Sequence, residues 1–207
     1  MTRLLLIEPG TADSITEDLF ETARKQIGGI PNMVRAMANS PALLSGYLAL
    51  SDALSRGRLR PAVREEIALA IAQRNGCDYC MSAHSFVAER ILHLDASTID
   101  AARRGRGHDP KAEAALRLAI DINDARGGIT RAQLDAATAA GLDDPEIAEV
   151  VGNVALNVLT NYFNKAADID IDFPPVRTTA LAGSGAAPGR LSALGAWDRG
   201  EADVSRV

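Results

Sequence analysis

Apolar residues along the chain recur three and four positions apart, and no segment sustains an alternation of period two, so the pattern predicts helices throughout. Thr16 to Ile27 carries Leu19, Phe20, Ala23 and Ile27 on one side and stops at Gly28-Gly29. Pro41 to Leu54 opens on Ser40-Pro41, where proline's fixed φ and missing N–H suit a first helical position. Pro61 to Arg74 is a further run, with Ile67, Ala68, Ala70, Ile71 and Ala72 as its apolar content. Asn75-Gly76 then reverses the chain, and another helix starts at Cys77. Ser97 to Arg104 and Lys111 to Arg126 close at Gly105 and at Gly127-Gly128. Thr130 to Ala140 and Pro145 to Ala167 complete the set, and the predicted class is all-α.

From about Phe173 the periodicity dissolves into Pro174-Pro175, Gly183, Gly185 and Pro188-Gly189 among scattered Ala, Ser and charged residues. The expected organisation is one helical domain over 1–175 and a flexible tail over 176–207, with Trp197 unanchored inside it. The two halves of the domain also resemble each other. Leu48-Ala49-Leu50-Ser51-Asp52 lies on Leu118-Ala119-Ile120-Asp121-Ile122, and after an insertion Glu66-Ile67-Ala68 lies on Glu146-Ile147-Ala148. At the second shift Cys77 falls on Asn157, Cys80 on Thr160 and His84 on Asn164. The second half would then be a degenerate hairpin repeat supplying walls rather than chemistry.

With 207 residues, 47% of them hydrophobic, the chain can bury one substantial core. A net charge of -5, no run of basic residues and only 4% aromatic content argue against nucleic acid as a partner. The opening MTRLLLIEPG has too short an apolar run for a signal peptide or a membrane span, so a cytoplasmic location without membrane association is expected. In that reducing compartment a close cysteine pair is expected to cycle rather than to staple.

The chain's two cysteines stand in Cys77-Asp78-Tyr79-Cys80, and His84 follows one helical turn later. At about 100° per residue, positions 77, 80 and 84 fall within an arc of roughly 60°, so two sulfurs and an imidazole share one face. If the runs before and after Gly76 form an antiparallel hairpin, Glu65 and His84 lie nearly equidistant from the turn, mismatched by only ~3 Å. A carboxylate that orients an imidazole, which in turn reaches a thiol, is the arrangement of an activated sulfur nucleophile. Simpler readings stand beside it. The cysteines can be small buried hydrophobes, and Glu65, with Glu66, Arg64 and Arg74 nearby, can belong to a solvated face. Cys77, Cys80, His84 and Glu65 also make four zinc-type ligands, although no second ligand pair of the usual spacing exists. Covalent haem attachment is excluded because Met81 stands where C-x-x-C-H needs histidine.

The spacing Glu65, eleven residues, Cys77, two residues, Cys80, three residues, His84 resembles the redox motif of the carboxymuconolactone decarboxylase and AhpD-like alkylhydroperoxidase superfamily, on its peroxidase-related branch. Ile30-Pro31-Asn32-Met33-Val34-Arg35 with Ser40-Pro41 is similar to an N-terminal signature of that group, and Asn161-Tyr162-Phe163-Asn164 leading to Asp172-Phe173-Pro174 to a C-terminal one. The resemblance implies an all-helical fold that assembles into homotrimers or hexamers with the dithiol near subunit contacts. It implies reduction of an organic hydroperoxide or hydrogen peroxide, with a lipoyl or thioredoxin-like dithiol as reductant. By position, Cys80 would attack the peroxide, Cys77 would resolve it, and His84 with Glu65 would relay protons. Decarboxylases of the superfamily lack the dithiol, so its presence speaks against that activity. Tyr79 stands where some of these alkylhydroperoxidases carry histidine; its phenol can donate to a peroxide oxygen or simply pack.

On this reading the chemistry needs no metal, haem or flavin. Met33, Phe86, Tyr162 and Phe163 could line the peroxide's approach or belong to the core. Two other functions remain compatible with the residues: a redox-responsive interaction protein, and a disulfide-exchange protein without peroxide turnover.

Overall fold

The computed structural model describes residues 2–178. Among the described residues there are nine helices and no strand: α1 Ser14–Ile27, α2 Asn32–Met37, α3 Pro41–Ser55, α4 Pro61–Asn75, α5 Asp78–Arg90, α6 Ala96–Arg103, α7 Pro110–Asp124, α8 Arg131–Ala139 and α9 Asp144–Ala167. The boundaries follow local chemistry. Side chains of Asp13, Ser40, Asp95, Asp109, Thr130 and Asp143 each accept a hydrogen bond from a first-turn N–H, and α3, α4, α7 and α9 carry proline in that turn. The six-residue α2 was not predicted, because one and a half turns are too short to display a helical period.

Helix α4 is the axis of the domain and touches α5, α6, α7 and α9. Its residues from Glu65 to Ala72 are all buried, and the three alanines among them let neighbours approach from several sides. That burial corrects the reading of this stretch as a solvated face. Glu66 is fully buried, with Oε1 2.6 Å from His108 Nδ1 in the loop that leads into α7. The reason lies in topology: the α6–α7 connection returns over α4, an event that leaves no local mark in the sequence. Burial pushes the Glu66 carboxyl above its ordinary value, and the His108 contact offsets part of that rise.

Glu66→Ala removes a buried partner of His108 and should lower stability by about 1 to 3 kcal/mol. Glu66→Gln keeps shape and a hydrogen bond and should stay close to wild type. Because the folded carboxyl is raised, the stability Glu66 contributes is full at low pH and lost as pH rises through its folded value, so the glutamine variant should gain on wild type over that rise. Thermal melts of both variants between pH 4 and 8 check magnitude and sign.

The expected second hairpin does not exist. Its turn would fall near Asn157, but α9 runs unbroken for 24 residues from Asp144 to Ala167. No Asn-Gly pair or proline interrupts it there, and the earlier match reflects helical periodicity common to both segments. The inner face of α9 is instead a polar ladder of buried Asn153, Asn157, Thr160, Asn161 and Asn164. Asn161 Oδ1 accepts from Asn75 Nδ2 at 3.1 Å, Asn75 also pairs with Asn123 of α7, and Lys165 Nζ donates to the Asn75 carbonyl. These contacts pin the last turn of α4, and with it the α4–α5 corner.

Residues 176–178, on the tail side of the boundary expected at 175, pack on the domain. Val176 N donates to Ser82 Oγ at 2.9 Å, Arg177 bridges to Asp78, and Thr178 N and Oγ1 both donate to Asp78 Oδ1. The rest of the expected tail, Trp197 included, lies outside the described residues.

Candidate active site

Gly76 closes α4 in the left-handed region, at φ 63° and ψ 43°, a conformation that costs glycine little and turns the chain within one residue. Cys77 then becomes the N-cap of α5, and its Sγ accepts the backbone N–H of Cys80 at 3.2 Å. Cys77 and Cys80 are joined as a disulfide with their Cα atoms 5.3 Å apart. Both are almost fully buried. Helix α5 therefore begins at its sulfurs, where unpaired N–H groups and the positive end of the helix dipole favour a thiolate over a thiol on reduction.

His84 lies one turn further along α5. The hairpin register sets it against Glu65 of α4, with His84 Nδ1 2.8 Å from Glu65 Oε1. Glu65 is buried, whereas the His84 side chain keeps 28% of its surface exposed, so the imidazole is the member of the four that reaches solvent. Burial acts to lower the His84 pKa, but the Glu65 charge and hydrogen bond outweigh it, and the imidazole is raised above its ordinary value. The charged pair His84 and Glu65 is thereby favoured, with one ring nitrogen committed to the carboxylate and Nε2 left for a proton transfer.

Two further groups border these four, neither singled out as a site residue by sequence. Asn164 of α9 donates from Nδ2 to Cys80 Sγ at 3.2 Å and to Met33 Sδ at 3.3 Å. Tyr47 of α3 is buried, and its phenol is pushed up to about 12 by burial and secondarily by the Glu65 charge, so it stays protonated. Both sit on elements remote in sequence from the cysteine motif. Asn164 was marked in the sequence by its place in the Asn161-Tyr162-Phe163-Asn164 segment and as the position matching His84 in the repeat alignment, neither of which points to a contact with Cys80.

Tyr79 has its phenol fully used. It accepts from Met33 N at 3.1 Å and donates to Asp172 Oδ1 at 2.8 Å, while Asp172 Oδ2 accepts from Asn32 N at 2.8 Å. Its ring meets the Phe173 ring edge-on at 5.8 Å. Burial, and next the Asp172 charge, push its pKa upward. Tyr79 therefore ties α5 to the start of α2 and to the segment after α9. Tyr79→Phe should cost about 1 to 2 kcal/mol of stability. Turnover should fall far less than the roughly 100-fold that loss of a proton-handling group brings. Melting temperature and steady-state rate measured on one preparation separate the two roles.

Of the residues named as possible lining, Met33 reaches the sulfurs through Asn164, Phe86 packs on Phe173 at 5.9 Å, Phe163 is partly buried against the core, and Tyr162 points outward with most of its surface exposed. Among the described residues no three His, Cys, Asp or Glu side chains gather to hold a metal ion, and no helix is long and apolar enough to cross a membrane.

A helical domain whose central hairpin carries a bonded Cys-x-x-Cys pair beside a Glu-His pair defines the class. The sequence model of the carboxymuconolactone decarboxylase family matches residues 41–121, from α3 into α7. The fold is similar to an uncharacterized peroxidase-related protein from a Silicibacter species, at 24% identity and TM-score 0.71, covering 84% of this chain and 92% of that one. It is similar to a peroxidase-related protein with an alkylhydroperoxidase AhpD core from Ralstonia eutropha, at 21% identity and TM-score 0.72, over 83% and 92%. It is also similar to the debrominase Bmp8 in complex with 2,3,4-tribromopyrrole, at 20% identity and TM-score 0.69, over 83% and 94%. No curated protein matches the chain in sequence. The family match covers residues 41–121, and the likeness to the solved structures is one of an all-helical fold.

Proposed function

We propose that the protein is a thiol-dependent hydroperoxide reductase in which Cys80 attacks, Cys77 resolves, and His84 held by Glu65 handles the proton. The observation that carries this reading is the 2.8 Å contact between His84 and Glu65, one helical turn from a Cys77-Cys80 pair able to form a disulfide. A hydroperoxide reductase needs a thiolate, a proton for the departing alkoxide and a second thiol. This corner of the fold supplies a candidate for each.

In the first step the Cys80 thiolate attacks the terminal oxygen of the hydroperoxide. An S–O bond forms and the O–O bond breaks, so sulfur is oxidised to sulfenic acid and the peroxide is reduced to alkoxide. The His84 imidazolium gives its proton to that alkoxide, and the Glu65 carboxylate stabilises the imidazolium beforehand. The Cys77 thiolate then displaces hydroxide from the sulfenic acid and closes the disulfide. An external dithiol, lipoyl or thioredoxin-like, returns both sulfurs to thiols. The chain's assembly into homotrimers or hexamers belongs to the same proposal.

The test is to add micromolar cumene hydroperoxide or hydrogen peroxide to the reduced protein and follow the thiols. The reading expects one intramolecular disulfide per chain, formed faster than free cysteine is oxidised, and steady turnover when dihydrolipoamide is supplied. Two persistent thiols would sink it. The likeness to a debrominase motivates a parallel assay with a brominated pyrrole, since a dithiol can also deliver two electrons to a carbon-halogen bond. Bromide release without peroxide consumption would transfer the same residues to that chemistry.

A further inference from the structure

The helix dipole and the N-cap position favour Cys77 as the more acidic thiol, since its Sγ already accepts a backbone N–H, yet the proposed mechanism assigns the attack to Cys80. What distinguishes Cys80 is Asn164. Its amide is 3% exposed and donates through Nδ2 to Cys80 Sγ at 3.2 Å, so each sulfur of the pair has one N–H donor. The other end of that amide is stranded. Asn164 Oδ1 is buried with no hydrogen-bond partner, although leaving such an acceptor unpaired is destabilising. An unpaired acceptor that sits one amide group away from a reacting sulfur is expected to be matched to something that arrives with the reaction.

We propose that Asn164 is the residue that reads the substrate as a hydroperoxide: Nδ2–H holds the Cys80 thiolate, and Oδ1 accepts the O–H of the oxygen under attack. This rests on the hydroperoxide reductase reading and names its substrate-recognising group. The geometry suits the reaction because the terminal oxygen of ROOH bears the hydrogen and is also the atom that sulfur takes. As the S–O bond forms and the O–O bond breaks, the proton stays on the transferred oxygen, and the resulting sulfenic O–H keeps its bond to Oδ1. The alkoxide leaves on the opposite side with the proton from His84. Atoms and charge balance: thiolate, hydroperoxide and imidazolium give sulfenic acid, alcohol and neutral imidazole. A peroxide without an O–H, or another electrophile lacking one, receives only the benefit of the thiolate and not that of the acceptor.

The two halves of the amide are separated by comparing two electrophiles on the reduced protein in single-turnover experiments. Methyl methanethiosulfonate reports thiolate reactivity and has no donor for Oδ1, whereas cumene hydroperoxide has one. In Asn164→Leu, the hydroperoxide rate is expected to fall about tenfold further than the thiosulfonate rate. In Asn164→Asp, which keeps a carboxyl oxygen at the same reach and loses the amide donor, both rates should drop together and their ratio should stay within about threefold of wild type. If the leucine variant does not fold by circular dichroism, Asn164→Ala carries the same comparison. Equal loss in both reactions for the leucine or alanine variant, or no loss in either, overturns the assignment while leaving the peroxidase reading intact. A wild-type protein that reacts with the thiosulfonate but not with either peroxide overturns the reading itself, a different and recognisable outcome.

Discussion

Cys80→Ser is expected to abolish peroxide consumption, while Cys77→Ser should consume one equivalent and then stall with Cys80 as sulfenic acid. The two sulfurs lie close enough to bond, with Cα atoms 5.3 Å apart, but their surroundings differ. Cys77 caps the helix and takes its donor from the backbone, so its thiolate needs no other side chain. Cys80 takes its donor from Asn164 and sits one turn before His84, the side nearer the proton source. A serine hydroxyl is far too weakly acidic to replace an attacking thiolate, whereas loss of the second thiol leaves attack untouched and blocks only disulfide closure. Stopped-flow peroxide loss under single-turnover conditions, followed by dimedone labelling and mass mapping, reads both variants. A Cys77 variant that loses the first step and a Cys80 variant that keeps it would mean the helix dipole decides the order of attack and the roles are reversed.

Much of this site was legible in the sequence because its chemistry is local. Residues 77, 80 and 84 share a helical face by period alone, and the glycine before Cys77 fixes a tight corner, so the pairing of Glu65 with His84 could be read from the register of two helices about that corner. Asn164 and Tyr47 could not be found this way. They reach the site from α9 and α3, and nothing at their own positions says which helix will cross which. The same blindness explains Glu66, whose charged side chain suggested solvent until the loop to α7 folded over it. It also explains the false second hairpin. Periodicity shows that residues 146–164 are helical, but only a chain-reversal signal distinguishes one long helix from two, and the segment has neither proline nor an Asn-Gly pair. Tyr79 illustrates the converse: proximity to the cysteines made its phenol a candidate for chemistry, while contacts with Met33 and Asp172, both distant in sequence, claim it for structure.

Glu65→Gln is expected to leave the fold intact, slow turnover by roughly 10- to 10³-fold, and move the alkaline limb of the pH profile to lower pH. The sign follows from the balance at His84. Burial alone would hold the imidazole below its ordinary value of about 6.5, and the charge of Glu65 with its hydrogen bond raises it above. If imidazolium is the proton donor to the departing alkoxide, activity is present below that raised value and is lost as pH rises through it. A neutral glutamine removes the attraction and leaves the burial, so the limb must fall toward and past the ordinary histidine value. The stability contributed by the pair has the same sense, full below the unfolded histidine value and lost as pH rises through the folded one. Glu66→Gln is the control: its side chain pairs with His108 rather than with His84, and it should change neither the limb nor the rate by more than about twofold. Profiles of kcat/KM against pH for wild type and both variants decide the matter. A Glu65 variant that is slow but has an unmoved limb would show that the carboxylate positions the hairpin rather than the proton, and His84 would lose its place as the donor.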